Sequence, residues 1–577
     1  MIDWILYNKS FNLKFLPFLS SKYEIDNYVL CLNEDNVYQN YVSQDKKEGI
    51  FILGYILPRL EYCYTRDFAI TILEEVKSQN FSYINNFKGN FNILCFFNNQ
   101  IILINDQFGI KKYFYYQSNN VFLASNHINF ILKNIKLEVS MINIIKYFIF
   151  NYFIDGNTIY EKCKYSKAGT YFTLSNEYKI DEYFSINDFV DKKEIKYSVR
   201  DSIISGAELW KQIIKQYINS FEGKRISQTL TAGLDSRLIL AGFRANNYIP
   251  STFTFGRKDS LDVIHSQKIA KKLKITHTHL YPNDDFFCDY SQKAKEVVAL
   301  SSGLSSLYRA HRYDAYKRMK NSYDVLFFGF IGSEIIRGLY PDGLTVPKII
   351  SDYWLNNAID IQEYYPKTWF SLTRNELSDL ENEIKSFDFV QRPDLFLFKC
   401  MIPLHFAQDI ALNESLRVSS VAPYWDLDFL EFQKNTPFFT DNNKKEKFAK
   451  MGHFRRRKGP FYSANLIYRL DKKNAFMSLG KGYSPADYSF SMYYASLKFL
   501  FYKIFFLKKY KIPNFNYEKW FVEYLTNFFR ENNFDFSIID NNKIIDEIKL
   551  KTGETELDFI SYVKLVNVQL IKKMENE

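Results

Sequence analysis

At 577 residues the chain is too long for one typical core and calls for two or three domains. Hydrophobic residues make up 47%, enough to bury several cores, which excludes a disordered chain. The net charge is +10, from 75 basic and 65 acidic residues, and part of the excess lies in Lys444 to Lys458, read as a solvated loop rather than a nucleic-acid contact.

Phe (55) and Tyr (44) are spread along the whole chain, so they read as compositional drift. The six cysteines, Cys31, Cys63, Cys95, Cys163, Cys288 and Cys400, form no CxxC pair and point to neither a disulfide framework nor a zinc site. Met1 to Lys9 lacks a basic region followed by an apolar run, and Leu497 to Leu507, broken by Lys498 and Lys503, is too short to span a bilayer. The expectation is a cytoplasmic protein with no membrane span.

The first 185 residues are strand-rich. Phe91 to Phe97, Ile101 to Asn105, Tyr113 to Tyr116 and Val121 to Ala124 are short β-branched or aromatic runs. Asn98-Asn99 suits a two-residue hairpin turn. Helices are expected over Phe68 to Ser78 and Met141 to Phe150, beside stacked antiparallel sheets.

From Val199 the pattern changes. A helix to Asn219 leads into Ile226 to Arg237, read as a strand, a tight turn and a helix beginning near Asp235. The hydroxyl of Thr231, the small Ala232 and Gly233, then Leu234, Asp235 and Ser236 could cradle an anion at the helix start. An ordinary turn capped by Ser236 fits the same residues. Strand-like Ser251 to Phe255 with Gly256, a helix over Leu261 to Leu273, strand-like Thr276 to Leu280, two further helices and Val325 to Phe328 ending at Gly329 follow. Such alternation predicts a parallel sheet covered on both faces, with ligands at the carboxyl ends of its strands. His277 and His279 share one face of a strand, but no third metal ligand lies near in sequence.

The last third holds a basic helix candidate over Glu446 to Arg457, a break at Gly459-Pro460, and the glycine-rich loop Leu479 to Pro485 around Lys481. Helices are expected over Ser491 to Tyr510, Tyr517 to Glu531 and Phe559 to Met574, packed on the preceding domain.

Several segments together resemble the asparagine synthetase family. Lys88-Gly-Asn-Phe-Asn-Ile-Leu, Ile104 to Tyr116 and Leu123-Ala-Ser-Asn are similar to its glutaminase half. Thr231 to Ser236, Thr252 to Gly256, Asp262 with Ile269, Ala270 and Leu273, Gly329 to Gly338, and Arg417 to Phe432 are similar to its synthetase half. The resemblance implies a degenerate Ntn-hydrolase-like α+β sandwich over 1–190, an α/β ATP-pyrophosphatase domain with a PP-loop over 191–490, and a helical extension over 491–577. It further implies that ATP and Mg²⁺ activate a small-molecule or peptide carboxylate as an acyl-adenylate, which an amine attacks; a homodimer is compatible with it. In that scheme Thr231, Ala232, Gly233, Leu234, Asp235, Ser236, Phe255, Gly256 and Gly329 bind nucleotide, Asp235 holds the metal, and Glu334 and Lys481 are catalytic. Lys458 and Lys473 compete with Lys481 because the register of the late loop is open.

The departures are specific. Position 2 is Ile2, not a nucleophilic cysteine, and the N-G-E substrate loop is missing, so glutamine hydrolysis is not expected. Ala232 replaces a glycine, Phe330 a glutamate, Ser333 a metal carboxylate and Arg337 a glycine. These motivate the other reading, a non-catalytic scaffold that kept the fold.

Overall fold

The computed structural model describes residues 2–62, 68–118, 121–175, 178–192, 194–281, 286, 289–337, 346–356, 360–365, 372–439, 458–510, 524–525, 527–528, 531 and 560–574. The expected helices over Glu446 to Arg457 and most of Tyr517 to Glu531, with Gly338, Cys63 and Cys288, lie outside the described residues.

Twelve strands build the first part: β1 (Trp4–Asn8), β2 (Ser21–Ile25), β3 (Tyr28–Leu32), β4 (Val37–Val42), β5 (Gly49–Pro58), β6 (Phe87–Phe97), β7 (Gln100–Asn105), β8 (Phe114–Ser118), β9 (Val121–Ser125), β10 (Cys163–Tyr165), β11 (Thr170–Leu174) and β12 (Tyr178–Glu182). They form two antiparallel sheets, ordered β10-β8-β9-β1-β3-β2 and β12-β11-β7-β6-β5-β4. Alternation along the strands explains the layering. Trp4 and Leu6 of one sheet share a core with Phe51, Leu94 and Phe96 of the other. The opposite phase, Ile50, Ile93 and Cys95, packs on α1 (Ala69–Lys77). The outer face of the first sheet, with Ile5, Val29 and Leu123, packs on α2 (Asn129–Asn134) and α3 (Met141–Phe150). The result is a helix–sheet–sheet–helix stack, as the strand-rich reading anticipates. Asn98 and Asn99 turn the β6–β7 hairpin with φ of +47° and +59°, the paired left-handed conformation that asparagine tolerates.

After α4 (Val199–Ser220) comes the second unit. Strands β13 (Ile226–Thr229), β14 (Ser251–Phe255), β15 (His277–Leu280), β16 (Val325–Phe327) and β17 (Ser419–Val421) form one parallel sheet, ordered β15-β14-β13-β16-β17. Its helices include α5 (Leu234–Ala245), α6 (Leu261–Leu273), α7 (Ala310–Met319) and the short α8 (Gly332–Arg337). The strand order reverses between β13 and β16. That switch point opens a crevice above the carboxyl ends of both strands.

The boundary near residue 190 is not a break in the core. Tyr55 packs edge-on against Tyr217 and Phe221, and Phe108 meets Phe398. Buried charges weld the halves as well: Lys88, 2% exposed, reaches Asp426 at 2.8 Å and Asp428 at 2.5 Å, while Arg59 pairs with Asp428 and the Tyr217 hydroxyl donates to Asp426. Asp426 is pushed up by burial against the pull of Lys88.

Two late expectations are corrected. Gly459-Pro460 does not interrupt the described helix α9 (Lys458–Leu470) but lies in its first described turn. Beyond α10 (Met492–Tyr510), the last helix, α11 (Ile560–Lys573), packs on both halves rather than on the second alone. Lys564 Nζ donates to the Phe148 carbonyl and Asn567 Nδ2 to the Tyr147 hydroxyl, while Asn567 Oδ1 accepts from the Leu307 amide. One helical run among the described residues, Pro393–Glu414, is long and apolar enough to cross a membrane, and it is 83% buried inside the fold.

Candidate functional site at the sheet switch point

The turn Leu230 to Gly233 leaves β13 and ends at α5, whose N-cap is Gly233. Ala232 is not among the described residues with positive φ, so alanine carries no backbone strain there. Nor does Ser236 cap the helix end. Its hydroxyl folds back to accept from the Thr231 amide at 3.1 Å and lies 3.1 Å from Thr231 Oγ1, which itself accepts from the Gly233 amide at 3.1 Å. The Ala232 amide donates to Asp262 Oδ1 at 3.1 Å. A carboxyl oxygen from the first turn of α6 therefore sits on a loop amide.

The loop after β16 closes on this one. A Cβ on Gly329 would stand 3.0 Å from the Ser236 nitrogen, so glycine favours the close meeting of the two loops. Ser333 Oγ donates to Asp235 Oδ2 at 2.7 Å. The residue in place of a second acid thus holds the first acid by a hydrogen bond. Glu334, half-buried, lies in the first turn of α8. Ile331 adopts φ +55° while 1% exposed, an uncommon conformation for a β-branched side chain. Tyr424 completes the closure: its hydroxyl donates to the Asp235 carbonyl at 2.9 Å, and a Cβ on Gly332 would strike its ring at 2.7 Å.

The walls beside this closure are aromatic. Phe330 stacks on Phe328 at 4.6 Å and on Phe406 at 5.3 Å, so an aromatic tier stands where the resemblance implies a glutamate. Beside it Arg309 and Arg312 share one carboxylate, Asp409, which also accepts from the Tyr316 hydroxyl at 2.8 Å. Phe255 lies 6.1 Å from His311 and 6.5 Å from Tyr316, placing α7 along the same crevice. Gly256 is already engaged, with its N–H donating to the Leu280 carbonyl and its C=O 2.7 Å from His279 Nε2. His277 bonds Thr252 and Ser266 instead and is pushed down to about 4 by burial, so each ring of this pair has its own local partner.

Lys481 is exposed and makes no bond to the Thr231–Ser236 loop among the described residues. Its loop is nonetheless anchored beside the site. Arg237, fully buried and pushed down to about 9 by burial, donates to Asn474 Oδ1 and to the carbonyls of Asn474, Met477 and Ser478. A Cβ on Gly480 would press on His265 of α6 at 2.8 Å. Lys473 is exposed on the surface, and the Lys458 side chain lies outside the described residues.

A cavity of about 660 Å³ lies between the two halves, bordered by Asp3, Lys111, Asn126, His127, Glu414 and Arg417. Two ion pairs border it, Asp3 with Arg417 and Lys111 with Glu414, while Lys112 Nζ donates to the Gly109 and Pro403 carbonyls. Burial pushes His127 down to about 3. The free thiols Cys31, Cys95, Cys163 and Cys400 are buried, and burial raises each, the opposite of nucleophilic activation.

Comparison with protein-family models finds no match, and no curated protein matches. Among solved structures the chain is similar to an allosteric regulatory enzyme of purine biosynthesis, at 10% identity over 35% of this chain and 46% of that one, with a TM-score of 0.19. It is likewise similar to glutamine phosphoribosylpyrophosphate amidotransferase from B. subtilis, at 10% identity over 44% and 51%, with a TM-score of 0.18. The chain spans about half the length of each. Likenesses this slight carry no argument about the site, which rests on its own geometry.

Asp235 and Glu334 are the acids of these two loops that would hold a divalent cation beside a nucleotide, since Mg²⁺ needs only one or two carboxylates besides phosphate oxygens. No group of three metal-ligating residues comes together among the described residues. Asp262, Tyr424, Ile331 and Arg237 all lie in segments that the sequence reading singles out, but that reading gives none of them a role at the site.

Proposed function

We propose that the chain is an ATP-dependent carbon–nitrogen ligase of the asparagine synthetase type that forms an amide through an acyl-adenylate. The observation that carries this reading is the meeting of the Thr231–Ser236 and Gly329–Glu334 loops at the switch point, with Asp235 fixed between Ser333 and Tyr424. Backbone amides at the start of α5 would orient the leaving pyrophosphate, and Gly329 would allow the α-phosphate close to the backbone. Bound Mg²⁺ would supply charge against the pyrophosphate at Asp235. The aromatic tier at Phe330 disfavours aspartate, whose ammonium needs an acid, and favours an acyl donor with a flat or apolar body. Ammonia or a substrate amine is the nucleophile, because burial leaves no described thiol activated and Lys88 and Arg417 hold the first domain as a structural partner of the second. The proposed setting is cytoplasmic.

The test is ATP–pyrophosphate exchange across a panel of carboxylates, aspartate included. Exchange that depends on one carboxylate and disappears in Asp235→Ala is the expected result; equal exchange by the variant refutes the assignment. The Asp262 carboxylate on the Ala232 amide specifically favours a second reading, a scaffold that no longer binds nucleotide. Calorimetry with MgATP separates them: no heat at millimolar nucleotide favours the scaffold.

A further inference from the structure

Among the described residues the aromatic side chains are mostly buried, but one helix breaks that rule. Of the twenty large apolar residues exposed among those described, eight lie between 490 and 505, so compositional drift does not explain them. Phe490 is 84% exposed, Tyr493 67%, Phe501 55%, Ile504 60% and Phe505 70%, with Tyr494, Leu497 and Leu500 close behind. At 100° per residue the seven on α10 project within an arc of about 140°, one continuous apolar face.

The opposite side of α10 is what attaches it. Ala495 packs with Ala464 and Tyr488, Phe499 meets Tyr483 at 6.1 Å, and a Cβ on Gly482 would strike Tyr502 at 2.4 Å. Lys498 pairs with Asp487 at 2.9 Å. The helix is therefore docked through one side while the aromatic side faces outward.

Charge selects the occupant. From Phe490 to Lys511 the sequence holds five lysines (Lys498, Lys503, Lys508, Lys509 and Lys511) and no acidic residue. A second copy would bring lysines against lysines with no acid on this segment to answer them. An apolar face bordered by lysines matches an anionic bilayer, whose acyl region takes Phe and Leu, whose headgroup level takes Tyr, and whose surface charge attracts ammonium groups.

We infer that α10 is a membrane-surface docking element that lays its Tyr493–Phe505 face into the interface of an anionic lipid layer without crossing it. The test is sedimentation of the full chain with extruded vesicles of phosphatidylcholine alone or with phosphatidylglycerol added. Binding at least about tenfold stronger to the anionic vesicles, weakened by raising salt beyond the range where charges act at about 10 Å, is expected. The double variant Leu500→Glu, Phe501→Glu should lose at least about tenfold of that binding with an unchanged melting temperature, since both side chains are exposed. Absence of vesicle binding by the unmodified chain, or equal binding by the variant, overturns the inference. So does a variant that melts much lower, which would mean that another part of the chain covers this face, or a self-associated parent that the variant splits with no vesicle binding.

Discussion

Asp262→Asn is the perturbation that most directly probes the cradle. The Asp262 carboxylate takes the Ala232 N–H at 3.1 Å, an amide that the proposed nucleotide would use. Nucleotide must displace it and then tolerate it nearby. Two full charges about 4 Å apart repel by about 4 kcal/mol at an effective dielectric of 20. Asp262 is half-buried, so salt and water screen that to roughly 1–2 kcal/mol. Asparagine keeps an oxygen for the Ala232 amide and removes the charge.

MgATP should therefore bind Asp262→Asn about tenfold more tightly, since 1.4 kcal/mol is a factor of ten. Calorimetry measures this, with Asp262→Ala as a control for the lost hydrogen bond. The variant should also be slightly less stable without ligand, because an acid in the first turn of α6 favours its N-terminus by about 0.3–1 kcal/mol. A tenfold loss of affinity in Asp262→Asn would refute the reasoning and make Asp262 part of the binding machinery.

Lys88→Met should lower the stability of the joined halves by ~3–5 kcal/mol, read as a lower urea midpoint, because it leaves Asp426 in the interior with neutral donors alone, while Asp428 keeps Arg59. Adding Asp426→Asn should recover part of that loss; a Lys88→Met midpoint equal to the parent's contradicts the welded interface. At Ile331, φ +55° reverses the usual order of small residues, so Ile331→Gly should melt above Ile331→Ala, where elsewhere glycine is worse by about 0.5–1 kcal/mol. Lys564 is pushed down from 10.5 to about 7 by burial, so the unfolded chain binds its proton more tightly between those values. Stability should rise with pH across that window, and Lys564→Met should flatten the rise measured by chemical unfolding; an unchanged slope rules Lys564 out as the source.

Local patterns wrote much of this fold legibly. The Asn98-Asn99 turn, the helix over Met141 to Phe150, the strand over Ser251 to Phe255 and the helix over Leu261 to Leu273 follow from turn chemistry and periodicity within a dozen residues. The cradle's position followed too, since alternating strands and helices put it at a strand's carboxyl end. What periodicity does not encode is distance in sequence. Asp262 reaches the loop across 30 residues, Tyr424 reaches Asp235 across 189, and Lys88 reaches Asp428 across 340. Gly459-Pro460 misleads for a different reason: proline ends a helix from inside but is compatible with its first turn.

The departures from the asparagine synthetase pattern are mutually consistent in space. Ser333, where the resemblance implies an acid, holds Asp235 through its hydroxyl. Phe330, where it implies a glutamate, joins a tier with Phe328 and Phe406 that a buried, unpartnered carboxylate would disrupt. Ile331 is strained, at about 1–3 kcal/mol by its conformation, but its side chain is buried against the second half's core, which offsets part of that cost. Gly329 and Gly332 lie where an added Cβ would crowd the Ser236 nitrogen at 3.0 Å and strike the Tyr424 ring at 2.7 Å, so both favour the close approach of the two loops. On the proposed ligase reading, aromatic walls around that closure fit an acyl donor other than aspartate. The exchange assay and the Asp262→Asn affinity bear on that argument independently, because one reads the walls and the other the cradle.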